Sequence, residues 1–192
     1  MNTHAGASAL DRFPEHRRVL EAVVTHFRDD PRVVGLLLSV ANVAGGMDFF
    51  SDIDLDVVVD DNAFDAVFAE RDRAVEAAGQ PLFRFIADHI PGGEHLYIVL
   101  YESSAGPVKL DVEYYRASAV VPEWGLTRRR LLLDRTGALA TALAASAGMA
   151  PPDPTIEDLQ NSGRGAGTRS ARSSAGSSGR RSTPCTPSAT AR

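Results

Sequence analysis

Cysteine is almost absent from this chain, whose single example is Cys185. A disulfide framework and a zinc site built from cysteines are therefore excluded. No apolar run reaches the ~18 residues that a membrane-spanning helix needs. The first residues also lack the apolar centre of a signal peptide. These absences predict a soluble, cytoplasmic protein with no membrane partner.

Acidic residues are missing from the end of the chain. Residues 161–192 contain six Arg, eight Ser and five Gly but no Asp or Glu. Such a segment cannot bury a core, so we expect an Arg/Ser/Gly-rich disordered tail. Residues 151–160 read as a linker and the start of an aborted helical region, and residues 1–150 as the folded domain. The tail is either ordinary disorder or the product of a reading-frame shift near Gln160.

The folded part is strongly acidic. Residues 1–160 hold all 25 acidic side chains and 14 of the 20 basic ones, a formal charge of −11. Binding to nucleic acid needs clustered Lys and Arg, so this balance argues against a nucleic-acid partner. A metal-dependent enzyme is compatible with it, because bound divalent cations reverse the local sign of the charge.

The hydrophobic pattern predicts an α+β (or α/β) fold in which helices flank a mixed β-sheet. An amphipathic helix is expected at residues 14–28, and its apolar stripe consists of Leu20, Val23, Val24 and Phe27. Strands are expected at residues 33–40, 53–59, 82–87, 95–101, 108–114 and 128–134. A helix capped by Asp60, Asp61 and Asn62 should follow the second strand. A short Ala-rich helix is expected at residues 139–147.

Two carboxylates open the second strand. Asp52 and Asp54 are two residues apart, so in a strand they point to one face, roughly 6–7 Å apart. Asp111 lies in the strand at residues 108–114 and could close the site. Mg²⁺ favours a few carboxylate oxygens, and two ions about 3.5–4 Å apart support in-line attack on phosphorus. Because the chain has 16 Asp, the pair is informative only through its strand-loop-strand context.

Residues 33–61 resemble the core of the DNA polymerase β-like nucleotidyltransferase superfamily, and more narrowly its small antibiotic-type and minimal branch. The family pattern is Gly-Ser, a short turn ending in Arg-Gly, a strand with Ser-Asp-x-Asp, and a later Asp. The residues that fit this pattern are Gly45, Asp48, Ser51, Asp52, Asp54 and Asp111. The resemblance covers roughly residues 15–150.

The resemblance implies a nucleotidyltransferase that moves a nucleoside monophosphate from a nucleoside triphosphate to an acceptor hydroxyl. It implies catalytic and metal-binding roles for Asp52, Asp54 and Asp111. Nucleotide-binding roles fall on Gly45, Gly46 and Ser51. The implied cofactor is Mg²⁺, as one or two ions. The implied acceptor is a small cationic molecule, such as an aminoglycoside- or lincosamide-like antibiotic.

The chain departs from the family pattern in the loop before the carboxylates. Val40 and Ala41 stand where the family has Gly-Ser, and Ala44 stands where it has Arg. Loss of one charge-assisted phosphate contact costs about 1.5–3 kcal/mol, roughly 10- to 150-fold in binding. Two alternatives therefore stay open. One is an antitoxin-like nucleotidyltransferase that binds or modifies a protein partner, and the other is a degenerate, non-catalytic copy.

Other polar residues near these strands favour ordinary roles. Asp56 is expected to support the site or face solvent. Lys109 could touch the nucleotide, but strand lysines are usually solvated, and a solvated side chain is the expectation here. The run of three arginines at residues 128–130 predicts a solvated face. His89 and His95 are expected to be loop histidines. Glu113 and Tyr114 could help shape an acceptor pocket.

Overall fold

The computed structural model describes residues 9–39, 48, 51–89, 92–151 and 153. The strands are β1 (Val33–Ser39), β2 (Ile53–Val59), β3 (Phe83–Ile86), β4 (Leu96–Tyr101), β5 (Val108–Arg116) and β6 (Arg129–Asp134). The helices are α1 (Pro14–Asp29), α2 (Phe64–Ala69), α3 (Arg71–Glu76) and α4 (Ala138–Ser146). Short 3-10 turns lie at Ala9–Arg12, Ala117–Ala119 and Trp124–Arg128.

All six strands form one mixed sheet in the order β3-β4-β5-β2-β1-β6. The central pair, β2 and β5, is parallel, and the other neighbours are antiparallel. A parallel pair needs a long crossover, which α2, α3, β3 and β4 provide here. The expected α+β fold with a mixed sheet and flanking helices is confirmed.

Helix α1 matches its sequence pattern closely. Pro14 occupies the first turn, where its fixed φ favours the helix and its missing N–H costs nothing. The four residues of the predicted stripe are all buried. They pack against the sheet with the other large apolar residues of the main core. The helix ends at Asp29, two residues before Pro31.

The two faces of the sheet differ. Leu36, Leu38 and Val57 join the main core with α1, α2 and α3. Leu37 and Val58 point the other way, into a smaller cluster with Leu126 from the Trp124–Arg128 turn and with Leu139 and Ala142 of α4. Because strand side chains alternate, Asp52, Asp54 and Asp56 share this second face with Val58. The sheet therefore presents its carboxylates opposite its main core.

The prediction for the helix after β2 is wrong in detail. Two short helices, α2 and α3, meet at Glu70, which is the C-cap of α2 and the N-cap of α3. Ala63 precedes α2 and makes no side-chain cap. Asp60 instead accepts a hydrogen bond from the backbone N–H of Asn62 at 2.9 Å, which forms a turn before the helix. The carboxylate of Glu70 binds Arg32 at 3.0 Å, so the junction coincides with a long-range ion pair.

Some sequence predictions lie outside the described residues. These are the roles of Gly45 and Gly46, the departures at Val40, Ala41 and Ala44, and the tail at residues 161–192. Within the described ranges, none of the helices combines the length and the apolar character required to cross a bilayer.

Candidate active site

The three predicted carboxylates come together where β2 and β5 run side by side. The strand register places Asp54 directly opposite Asp111, on strands that lie about 4.7–4.9 Å apart. Asp52 is one residue before β2 and two before Asp54, so it extends the same row. Leu110 and Val112 are fully buried on the other face. The prediction that Leu110 and Val112 face the core is confirmed.

Lys109 joins two of these carboxylates. Its Nζ donates to Oδ2 of Asp52 at 2.6 Å and to Oδ2 of Asp111 at 3.0 Å. The prediction that Lys109 is solvated is therefore wrong. Lys109 and Asp111 are two apart in β5, so the alternation that placed Asp111 on this face places Lys109 there as well. The missing information was the position of Asp52 on the neighbouring strand.

Burial makes the carboxylate row costly to ionise. Desolvation raises the pKa of Asp111 to about 6, against the opposing effect of Lys109. Desolvation likewise raises the pKa of Asp54, and the charge of Arg129 works against that shift. For Lys109, burial alone would lower the pKa, but the bonds to the two aspartates outweigh it and the pKa is raised. The row is therefore a partly buried set of carboxylates, in which Lys109 bridges Asp52 and Asp111.

Asp56 continues the row into a buried ion pair. Its Oδ2 accepts a bond of 2.6 Å from Nε of Arg129, and its side chain is only 7% exposed. Arg129 belongs to β6 and lies opposite Ser39 of β1. The expectation of a solvated arginine run is wrong for Arg129, and a solvated Asp56 is excluded. Alternation along β6 was the signal that could have separated Arg129 from Arg130, which is exposed.

The turn before Asp52 is held by side chains. The hydroxyl of Ser51 donates to Oδ1 of Asp48 at 2.8 Å, and the backbone N–H of Asp48 donates to that hydroxyl at 2.9 Å. His16 of α1, only 3% exposed, forms a hydrogen bond with the backbone of Ser51, and its burial lowers its pKa. Sequence reasoning missed His16, although it lies four residues before Leu20 on the apolar stripe. The predicted nucleotide-binding Ser51 thus has a structural bond to Asp48.

The donor set of this row suits a hard divalent cation. Carboxylate oxygens are the ligands that Mg²⁺ prefers. Oδ1 of Asp111 is buried and makes no hydrogen bond within the described part of the chain, so its lone pairs are not satisfied there. Among the described residues, no group of three or more His, Cys, Asp or Glu side chains is arranged so that it could hold a metal ion. Asp52 and Asp111 instead share the ammonium of Lys109.

Other predicted site residues lie elsewhere. Tyr114 is 1% exposed and belongs to the main core, so its predicted part in an acceptor pocket is wrong. His95, which was expected to be a loop histidine and not a site residue, lies in the turn before β4, and its ring packs edge-on against Phe64 and Phe68 on the side of the main core. Glu113 stays with the site, because it lies opposite Asp56 in the register of β2 and β5. Alternation along β5 places Tyr114 in the core and Glu113 on the opposite face, and the register with β2 brings Glu113 beside Asp56.

A surface depression lies along the exposed side of α1 and contains none of the carboxylates. Arg17, Glu21 and Thr25 line it. It has no buried acid and no unpaired buried donor or acceptor, so the carboxylate row is the better candidate for chemistry. In comparisons with protein-family models and with curated proteins, the chain has no match.

Proposed function

We propose that this chain is a metal-dependent nucleotidyltransferase, which transfers a nucleoside monophosphate from a nucleoside triphosphate to an acceptor hydroxyl. The observation behind the proposal is the register of β2 and β5, which sets Asp54 opposite Asp111 with Asp52 two residues before it. The sequence resemblance assigns these same three residues to a metal site. The strand register therefore supports the row of carboxylates that the resemblance assigns.

Each residue of the row has a definable part in this reaction. Asp52, Asp54 and Asp111 would hold Mg²⁺, which when bound neutralises charge on the triphosphate and the leaving group. The acceptor oxygen forms a bond to the α-phosphorus while the bond to the β-phosphate oxygen breaks, and pyrophosphate leaves. The proton of the acceptor passes to Asp111 or a carboxylate beside it, such as Glu113.

The acceptor belongs to the proposal at the level of chemical class. The resemblance suggests a small cationic molecule, such as an aminoglycoside- or lincosamide-like antibiotic. The charge of −11 over residues 1–160 fits a cationic acceptor, because an acidic surface attracts it and raises its local concentration.

Calorimetry with Mg²⁺ and ATP tests the proposal. Wild-type protein should bind the nucleotide only when Mg²⁺ is present, and Asp52→Ala should abolish this binding. Asp65→Ala is the matched control, because Asp65 lies on α2 with an 87% exposed side chain and should leave binding unchanged. Absence of binding in the wild type, or equal binding in Asp52→Ala, would sink the proposal.

A pyrophosphate-release screen with cationic antibiotics then separates turnover from binding. Release that depends on one acceptor and on Asp111 would support the enzyme. Metal-dependent binding of ATP with no release for any acceptor would favour the degenerate, non-catalytic copy. The replacement of the family's Gly-Ser by Val40-Ala41 is the observation that keeps this second candidate in view.

An antitoxin-like partner-binding role has its own supporting observation. Leu82 and Phe83 are 58% and 60% exposed at the edge of the sheet, beside and within β3. Exposed large apolar side chains at a sheet edge are typical of protein contacts. Where the adjacent gene encodes a small helical protein, co-expression should give a stable complex that Phe83→Lys weakens. A wild type that stays separate from that protein on gel filtration would exclude this role.

A further inference from the structure

The single lysine of the chain stands inside the carboxylate row. Lys109 is the only Lys among 192 residues, whereas the other basic side chains are 19 Arg and 5 His. Its ammonium contacts Asp52 and Asp111, two of the three carboxylates assigned to the metal. Its side chain is 33% exposed, so Lys109 is only partly buried.

The ammonium uses the same oxygens that a divalent cation would need. Lys109 holds Oδ2 of Asp52 at 2.6 Å and Oδ2 of Asp111 at 3.0 Å. A metal ion bound by these two carboxylates would meet the positive charge of Lys109 at close range. Bare metal must therefore displace the ammonium, and each lost charge-assisted bond lowers the metal's affinity.

The displaced ammonium has an obvious anionic partner only when nucleotide is present. Lysine is a compact charge on a flexible four-carbon stem, so it can turn from a carboxylate to a neighbouring phosphate without movement of β5. A triphosphate that arrives with the metal would replace the two bonds that Lys109 loses. It would also gain a cationic contact in a chain that lacks the serine hydroxyl expected at Ala41.

We propose that Lys109 binds a phosphate of the nucleotide, and that in the free protein it occupies the metal carboxylates and so couples metal binding to nucleotide binding. This inference rests on the proposed nucleotidyltransferase function. Metal alone should bind weakly, and metal together with nucleotide should bind tightly. Removal of the ammonium should tighten the binding of metal alone. It should also weaken the gain in metal affinity that the nucleotide brings.

Titration with Mn²⁺ alone, followed by electron paramagnetic resonance, tests the competition. Lys109→Met should bind Mn²⁺ roughly 10- to 150-fold more tightly than the wild type, because the competing charge is gone. Lys109→Arg keeps a cation and should stay close to the wild type. Equal or weaker binding of Mn²⁺ by Lys109→Met would overturn the inference.

The coupling to nucleotide gives a second readout. In the wild type, ATP should tighten Mn²⁺ binding, and by linkage Mn²⁺ should tighten ATP binding by the same factor. In Lys109→Met this factor should fall at least about tenfold. An unchanged factor would show that Lys109 does not contact the phosphate.

Two further measurements separate the possible failures. The double variant Lys109→Met/Asp111→Asn should lose the tight Mn²⁺ binding. If no variant binds Mn²⁺ at all, this inference and the proposed function both fail, whereas equal, measurable binding in the wild type and Lys109→Met overturns this inference alone. Lysine labelled with ¹³C gives one side-chain signal in the folded wild type. That signal should shift on addition of Mg²⁺ and ATP, and a fixed signal under conditions where calorimetry detects binding would also overturn it.

Discussion

Asp111 occupies a position where its charge opposes folding. Its side chain is 16% exposed, and one of its oxygens has no hydrogen-bond donor within the described residues. Desolvation raises its pKa to about 6, and Lys109 offsets only part of that effect. A carboxylate that is ionised at neutral pH in such surroundings is well placed to receive a cation, at some expense to stability.

Asp111→Asn should therefore stabilise the metal-free protein at neutral pH. A folded-state pKa above the ordinary 3.8 means that Asp111 favours folding at low pH and that this contribution is lost as pH rises through about 6. The variant should match the wild type near pH 4 and exceed its free energy of unfolding by about 1–3 kcal/mol at pH 7.5. Urea denaturation in EDTA at both pH values measures this. A less stable variant at pH 7.5 would show that the Lys109 bond outweighs burial.

Arg129 should matter far more to stability than the arginine beside it. Arg129→Met leaves Asp56 buried without its partner, which should cost about 3–5 kcal/mol at pH 7.5. The cost should shrink as pH falls from 7.5 towards about 6, because Arg129 holds down the pKa of Asp56, which desolvation raises to about 6 in the wild type, and in the variant the buried carboxyl is protonated at a higher pH. Arg130→Met is the matched control and should change stability by less than about 0.5 kcal/mol. Equal effects of the two substitutions on urea denaturation would contradict the buried pair.

At the scale of elements, local patterns predict each strand that the structure describes, together with helices α1 and α4. They do not predict which strands pair with one another. Alternation in β2 and β5 is a property of a few adjacent residues, so it could be read directly. The parallel pairing of those strands joins residues 57 apart, such as Asp54 and Asp111, and depends on the whole crossover between them. Lys109 and Arg129 each have an acidic partner far away in the sequence, Asp52 and Asp56 respectively. The local sequence therefore predicts solvated side chains for both.

The contact between β1 and α4 depends on the absence of a side chain at Gly35. A Cβ there would lie 2.0 Å from Cδ1 of Leu139, well inside contact distance. Gly35→Ala should lower the free energy of unfolding by about 1–3 kcal/mol through overpacking, and Leu139→Ala should lower it by about 2–5 kcal/mol. The double variant should be more stable than the sum of these losses predicts, because the alanine at 139 frees the space. Strict additivity in thermal or urea unfolding would mean that the two positions do not meet.

At the scale of the whole molecule, charge divides the chain into two parts of opposite sign. Residues 1–160 carry −11 and residues 161–192 carry +6, which gives the net −5. The described core and the carboxylate row both lie before residue 154. Attraction between the two parts would be strongest at low salt, because at 0.15 M exposed charges are screened beyond about 8 Å.

Removal of residues 161–192 should consequently leave the folded protein and its metal site unchanged at 0.15 M salt. The Arg/Ser/Gly-rich composition of this segment predicts that it adds little to the free energy of unfolding, so Tm should move by less than about 2–4 °C, the shift expected for 1 kcal/mol at this size. Affinities for Mn²⁺ alone and with ATP should match those of the full chain. A large fall in Tm would contradict this and would mean that the tail packs on the domain. Tighter Mn²⁺ binding after truncation would also contradict it, and would mean that tail arginines compete for the carboxylates as Lys109 does. Repeating the Mn²⁺ titration at 0.02 M salt distinguishes these cases, since only an electrostatic competitor becomes stronger as the Debye length grows.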